Sequence, residues 1–302
     1  MRTLVTGGAG FIGSHVVEAL LARSDEVHVL DNLASGKREN VPGAATLHVA
    51  DVREPVDRLV QELQPDAIVH LAAQADVRVS VDDPGLDTAV NVLGTVNVLE
   101  AARKVSVRVV FASTGGAIYG ECERPAREDD PREPLSPYGC AKLAGEEYLA
   151  TFSRLYGVHH VSLRLGNVYG PRQDPHGEAG VVAIFLGRLR DGERCRIFGD
   201  GRQTRDYVYA GDVARATLLG LAREDGGVFN VGTGRETSVV ELYDACLAVV
   251  GAEAEAVHEA SRAGELQRSF LDPEHAAQVL GFRAETSLAD GLAATWDWIR
   301  KD

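Results

Sequence analysis

Thr6-Gly7-Gly8-Ala9-Gly10-Phe11-Ile12-Gly13 lies between a short apolar run, Leu4-Val5, and the helical pattern Ile12, Val16, Val17, Leu20, Leu21. Its glycines fall at Gly7, Gly10 and Gly13, a Gly-x-x-Gly-x-x-Gly spacing. Gly7 permits a tight turn, Gly10 lets backbone approach a pyrophosphate, and Gly13 lets the helix close onto the strand. The helix start then offers unpaired N–H groups and a positive dipole end to phosphate. Asp31 ends the second apolar run about twenty residues further on, where an acid binds both ribose hydroxyls of adenosine and repels a 2′-phosphate. NAD is therefore expected in preference to NADP, with Lys37 and Arg38 keeping NADP in view. Asp51-Val52, after the third run, stands where either an adenine contact or a plain turn is expected.

Outward from this loop, apolar runs alternate with amphipathic stretches: Val27 to Leu30, Leu47 to Val49, Ala67 to Leu71, Val107 to Phe111, and Val161 to Arg164 after a helix from Ser136 to about Tyr156. Such spacing predicts buried parallel strands in βαβ units, hence a doubly wound α/β sheet with its ligands at the strands' carboxyl ends. Beyond Gly166 the pattern loosens into Gly- and Pro-rich loops and helices expected to be short. The reading is a Rossmann domain over 1–165 with a returning segment at about 207–235. A smaller α/β substrate lobe takes 166–206 and 236–302.

A chain of 302 residues with 45% hydrophobic and 25% charged residues can fill two lobes. Its net charge of -14 disfavours nucleic acid and anionic membrane, and demands a local cationic cluster for any anionic substrate. Cys122, Cys140, Cys195 and Cys246 are scattered without metal-ligand spacing, so free thiols and no metal are expected. No leader pattern precedes the glycine loop, and no stretch reaches the ~20 apolar residues of a bilayer span. A cytoplasmic enzyme is the expectation.

Tyr138-Gly139-Cys140-Ala141-Lys142 puts a phenol and an amine on one helix face. A free phenol, with a reference pKa near 10, is a poor base at neutral pH. A neighbouring ammonium and a bound nicotinamide cation favour the phenolate and make it useful in proton transfer. Thr114, at the end of the strand that begins near Val107, offers a hydroxyl to the reacting oxygen.

The chain resembles the UDP-glucose 4-epimerase group of the extended short-chain dehydrogenase/reductases over nearly its whole length. The matching stretches are Thr6 to Gly13, Asp31-Asn32-Leu33, His70-Leu71-Ala72-Ala73, Tyr138 to Lys142, Asn167-Val168-Tyr169-Gly170-Pro171, Arg205-Asp206-Tyr207-Val208 and Phe229 to Gly234. The resemblance implies a nucleotide-sugar 4-epimerase with catalytic Tyr138, Lys142 and Thr114 and tightly held NAD. It carries cofactor contacts to Phe11, Ile12, Asn32, Asp51, Val52, Leu71, Ala72, Ala73, Gln74 and Asn91, besides the three glycines, Asp31, Tyr138 and Lys142. For the UDP-sugar it implies Asn167 at the lobe boundary and Val181, Val182, Arg196, Ile197 and Phe198 around the uracil. Arg205 and Arg262 would take the diphosphate. It also implies a homodimer through the helices around Val92 to Ala102 and Ala141 to Tyr156, including Val96, Leu99, Leu143, Leu149 and Phe152.

Dehydratases and decarboxylases of this family carry an acid just after the Ser/Thr, and Ser113 to Gly120 contains none, so plain epimerisation is expected. A non-catalytic dinucleotide sensor usually lacks the Tyr and Lys present here. The sugar stays open: UDP-glucose and UDP-galactose, UDP-glucuronate, or UDP-N-acetylglucosamine. Arg78, in a Val-Arg-x-Ser stretch resembling UDP-glucuronate 4-epimerases, and the Gly115-Gly116 backbone are candidate carboxylate contacts. Ser269 stands where several relatives have a bulky gate tyrosine, and Leu165 where many have an aromatic.

Overall fold

The computed structural model describes residues 1–175, 180–261 and 266–301. The first half alternates strands and helices. β1 (Arg2–Thr6), α1 (Phe11–Ala22), β2 (Glu26–Asp31), β3 (Thr46–Val49), α2 (Asp57–Leu63) and β4 (Ala67–His70) come first. The short α3 (Val77–Asp82) and α4 (Pro84–Thr88) follow, then a π-helical turn over Ala89–Leu93 that runs into α5 (Gly94–Lys104). β5 (Arg108–Thr114), α6 (Gly115–Ile118), α7 (Pro137–Tyr156) and β6 (Val161–Leu165) complete it.

The second half holds β7 (Asn167–Tyr169), α8 (Val181–Arg190), β8 (Arg196–Phe198), β9 (Thr204–Arg205), β10 (Tyr207–Tyr209), α9 (Ala210–Ala222) and β11 (Gly227–Val231). β12 (Thr237–Ser238), α10 (Val239–Val250), β13 (Val257–Glu259), β14 (Arg268–Ser269), α11 (Glu274–Val279) and α12 (Leu288–Ile299) end the described chain. Four of the helices expected to be short here are not: α8, α9, α10 and α12 have 10, 13, 12 and 12 residues, whereas α11 has 6. Each of the four buries an apolar stripe, which fixes a helix more firmly than loop composition signals.

The seven-stranded sheet has the order β11-β6-β5-β4-β1-β2-β3, parallel throughout. Alternate residues face opposite ways, so each strand feeds two cores. Val5, Val29, Val69 and Val110 pack with Val16, Val17, Leu20, Val213 and Leu221 of α1 and α9. Leu4, Leu30, Ile68 and Phe111 pack with Val98, Leu99, Leu149 and Phe152 of α5 and α7. Phe185, Ile197, Tyr243 and Leu292 centre a third cluster in the second half. Ala276 of α11, with Leu280 and Phe282 after it, joins the sheet's core beside Phe229 and Val231, so part of the expected 236–302 lobe packs with the sheet.

Two local features aim α7 at the strand ends. Ser136 caps it by accepting from Gly139 N at 3.2 Å, with Pro137 pre-set for the first turn. Gly145 lets it lie close on β5, since a Cβ there would come within 2.8 Å of the Phe111 ring.

Candidate active site

The carboxyl ends of β1, β2, β4, β5 and β6 border one cleft of about 940 Å³, near the upper end for small-molecule sites. At the end formed by the β1–α1 loop, Gly7 has φ +73°, and a Cβ there would lie 2.6 Å from Ala72 N. A Cβ on Gly13 would lie 2.0 Å from Gly7 O, so any side chain would force α1 away from the strand. Gly10 differs: a Cβ there would meet only Gly7 O, at 3.2 Å, and the residue lines the cleft at the start of α1.

Asp31 is buried, with Oδ2 accepting from Ala9 N at 3.0 Å and Oδ1 from Leu33 N at 2.8 Å. Asp51 accepts from Arg53 and from Asn32 Nδ2 at 2.9 Å. The Arg53 guanidinium holds this carboxyl far below the usual range, outweighing burial. Phe11, Ile12, Val52, Leu71, Ala72, Ala73 and Gln74 line the same cleft. An open glycine cradle at a helix start, with a fixed acid beyond it, fits a dinucleotide.

Asn91 lies behind this lining, not in it. It sits in the π-helical turn, a feature common at functional sites. Its Oδ1 accepts from Gln74 N at 2.9 Å, and its Nδ2 donates to Gln74 O and to Asp87 Oδ1, both at 2.9 Å. His70 is wedged between Thr6 Oγ1 at 2.7 Å and Thr95 Oγ1 at 3.1 Å. Burial, aided by the Lys142 charge, pushes it down to about 3, so it is a neutral spacer.

Thr114, Tyr138 and Lys142 meet where β5 ends against the first turns of α7, and all three line the cleft. Lys142 Nζ donates to Ala112 O at 2.8 Å and lies 4.8 Å from the centre of the Phe111 ring and 5.9 Å from that of Tyr138. Burial pushes this amine down to about 8, against the pull of Asp87 and Glu146. Burial likewise pushes the Tyr138 phenol up to about 12, Asp87 adds to the rise, and a hydrogen bond with Thr114 opposes it. In the chain alone burial sets the direction for this phenol, whereas the expected lowering counts on the nicotinamide cation of the bound cofactor as well as on Lys142.

One turn beyond Lys142, Glu146 forks onto Arg164 of β6 at 2.9 and 2.7 Å, both fully buried. Arg164 also donates to Tyr119 Oη at 2.6 Å, and Tyr119 donates to Asn230 of β11 at 2.8 Å. α7 is thereby tied to both outer strands on this side of the sheet.

Across the cleft, Asn167, Val181 and Val182 line the wall. Gly116 also lines it, and a Cβ there would lie 3.2 Å from Asn167 Oδ1. Gly115 instead packs on Leu271, whose Cδ1 would be 2.5 Å from its Cβ. Among the described residues, Arg78, Arg196, Ile197, Phe198 and Arg205 are not in the lining. Ile197 is core, and Arg196 pairs with Glu259 at 3.3 Å on the neighbouring strand. Arg205 donates to Thr204 O at 2.7 Å, and Arg78 pairs with Asp76 at 2.9 Å. Arg262 lies outside the described residues. Leu165 lines the cleft, whereas Ser269 is buried with Oγ 3.5 Å from Gly116 O. Arg53 and Asp87 were missed by the sequence reading; only the Asp51-x-Arg53 spacing offered a signal.

Residues 3–232 match the NAD dependent epimerase/dehydratase family, and the chain belongs to that family. A UDP-glucose 4-epimerase of Mycolicibacterium smegmatis is 48% identical, with 99% of each chain covered. Among solved structures, UDP-glucose 4-epimerase of Thermotoga maritima with UDP-glucose is 46% identical, at TM-score 0.98, covering 100% of this chain and 99% of that one. The Thermus thermophilus UDP-glucose 4-epimerase complex with NAD is 49% identical, at TM-score 0.95, with 99% of both chains covered.

Proposed function

We propose that this chain is an NAD-dependent UDP-hexose 4-epimerase that interconverts UDP-glucose and UDP-galactose. The observation that carries the reading is one cleft holding an open glycine cradle at one end, Tyr138, Lys142 and Thr114 at its middle, and Asn167 opposite. Bound NAD supplies a reversible hydride acceptor, so the net reaction needs no other oxidant. Tyr138 takes the proton of the sugar 4-hydroxyl and, once the 4-keto sugar has turned its other face toward the hydride donor, returns that proton to the 4-oxygen. Thr114 steadies the moving oxygen, and Lys142 provides positive charge beside the phenol. With the phenol near 12 in the chain alone, ionisation at neutral pH requires further positive charge in the cleft, which an oxidised nicotinamide carries. Gly7, Gly10, Gly13 and Asp31 would hold the dinucleotide, and Asn167, Val181 and Val182 the substrate. We read the chain as two functional lobes, an NAD-binding one over 1–165 with a returning segment at about 207–235 and a nucleotide-sugar one over 166–206 and 236–302.

No acid follows Thr114 before Gly120, which supports epimerisation over dehydration. The charge-recognition case for UDP-glucuronate weakens, because Arg78 is paired with Asp76 and Gly115 is occupied by Leu271. Incubation with UDP-glucose, without added nucleotide, tests the function: UDP-galactose should accumulate to equilibrium, and its absence with NAD still bound would overturn the reading.

We further read the protein as a cytoplasmic homodimer. All four cysteines are free, and no described helix is long and apolar enough to cross a membrane. Leu99, Leu149 and Phe152, expected at the dimer face, are instead core of this chain. Exposed apolar side chains on these and neighbouring elements include Val77, Val79 and Val81 on α3, Leu86 on α4, Leu93 in the π turn, and Tyr148, Leu155 and Tyr156 on α7. A mass near 32 kDa alone in light scattering at micromolar concentration would remove the dimer.

A further inference from the structure

Asp87 has no part in the chemistry above, yet it is a carboxylate without exposed surface. It sits on α4, which packs against α7. Its Oδ1 accepts twice, from Gln74 Nε2 at 3.0 Å and Asn91 Nδ2 at 2.9 Å. Its Oδ2 is buried with no hydrogen-bond partner. An interior carboxylate half-satisfied in this way needs compensating charge nearby. The other charged groups around it are committed. Glu146 on α7 pairs with Arg164 of β6, Asp76 before α3 pairs with Arg78, and His70 on β4 is neutral. Lys142, buried and hydrogen-bonded to a neutral carbonyl, stands on α7, against which α4 packs, and is the cation whose charge acts on Asp87.

We propose that Asp87 is a positioning residue, the counter-charge of the Tyr138–Lys142 pair, held by Gln74 and Asn91 so that it keeps Lys142 an ammonium and opposes ionisation of Tyr138. The inference rests on the roles given to Tyr138 and Lys142 above. Both effects have one sign, since a negative charge favours the protonated form of each neighbour. Asp87 pulls the Lys142 amine upward against burial and pushes the Tyr138 phenol upward with it. The influence is reciprocal: burial raises the Asp87 carboxyl above its ordinary value, and the hydrogen bonds from Gln74 and Asn91, then the Lys142 charge, draw it back.

Asp87→Asn separates charge from architecture, because an amide Oδ1 can still accept both hydrogen bonds. The readout is the pH profile of kcat/KM for UDP-glucose, measured on the NAD-loaded enzyme. Its rising limb reports Tyr138 ionisation and its falling limb loss of the Lys142 proton. Both limbs should move to lower pH by roughly 0.5–1 unit, below the 1–3 units typical of a contacting charge pair. A uniform fall at every pH with stationary limbs, or loss of bound NAD as the main effect, would reduce Asp87 to a loop support and overturn the proposal. If Asp87→Asn does not fold, Asp87→Ser is read the same way: the same displacement supports the proposal and stationary limbs defeat it. Tyr138→Phe separates the two readings. If it stays active, the proposed roles fail; if it is inactive while the Asp87→Asn limbs stand still, only the Asp87 inference falls.

Discussion

The two ends of the cleft are built from different materials. At the glycine loop, backbone meets backbone: Gly7 against Ala72 and Gly13 against Gly7 O leave no room for even one carbon. Asp31 is locked there by two main-chain N–H groups. At the opposite end, side chains do the shaping. Asn167 stands over Gly116, and two arginines of the lining, Arg172 and Arg190, pair with Glu18 and Asp191. A backbone-built site tolerates almost no change, whereas a side-chain-built site can be re-tuned, and substitutions can break or sharpen that contrast.

The largest effect belongs to the junction of the two ends. Tyr138→Phe should lower kcat by at least ~10²-fold, the lower range for a positioned acid–base group, with NAD still recovered from the denatured protein. Next, Gly13→Ala attacks the backbone-built end and should cost about 3 kcal/mol or more, the upper range for overpacking. A thermal melt would show that loss, together with reduced nucleotide content. Unaltered stability and NAD content would mean that the loop yields more easily than its 2.0 Å approach implies.

Gly116→Ala tests the side-chain-built end. A Cβ 3.2 Å from Asn167 Oδ1 asks that amide to shift by a few tenths of an ångström, so KM for UDP-glucose should rise about 3–10-fold while NAD stays bound. The smallest effect is expected at Arg78→Ala, which removes a half-exposed pair with Asp76. It should change kcat/KM less than about fivefold, the reach of a surface ion pair, and equally for UDP-glucose and UDP-glucuronate. A selective loss on the uronate would restore Arg78 to substrate recognition.

The same contrast explains what could be read from the residues alone. The parallel sheet was legible because its strands are short, rich in aliphatic residues and spaced by helices, and the glycine loop because its spacing follows from main-chain geometry. Tyr138 and Lys142 share a helix face four residues apart, so local periodicity reveals them. Arg196, Ile197 and Phe198 were assigned by analogy, and strand alternation sends Ile197 into the core instead. Asp87 was invisible because, although Asn91 follows it by four residues, Gln74 of the loop after β4 and the α7 helix that carries Lys142 come to it only through tertiary packing. The sign of the Tyr138 shift also depends on how much water the fold removes, which no spacing records.

β11 has a consequence in time. It is the seventh strand of the sheet, pairing along all of β6 from Val161 to Leu165, yet it is made only after β7 to β10 and α9. During synthesis the NAD-binding sheet therefore waits, on the order of 3–12 s at ordinary translation rates, with β6 as an unpaired edge. Leu163 and Leu165 are buried on that strand in the finished protein. Nascent chains stalled before Gly227 should thus be the sticky ones, and those released beyond Val231 should not.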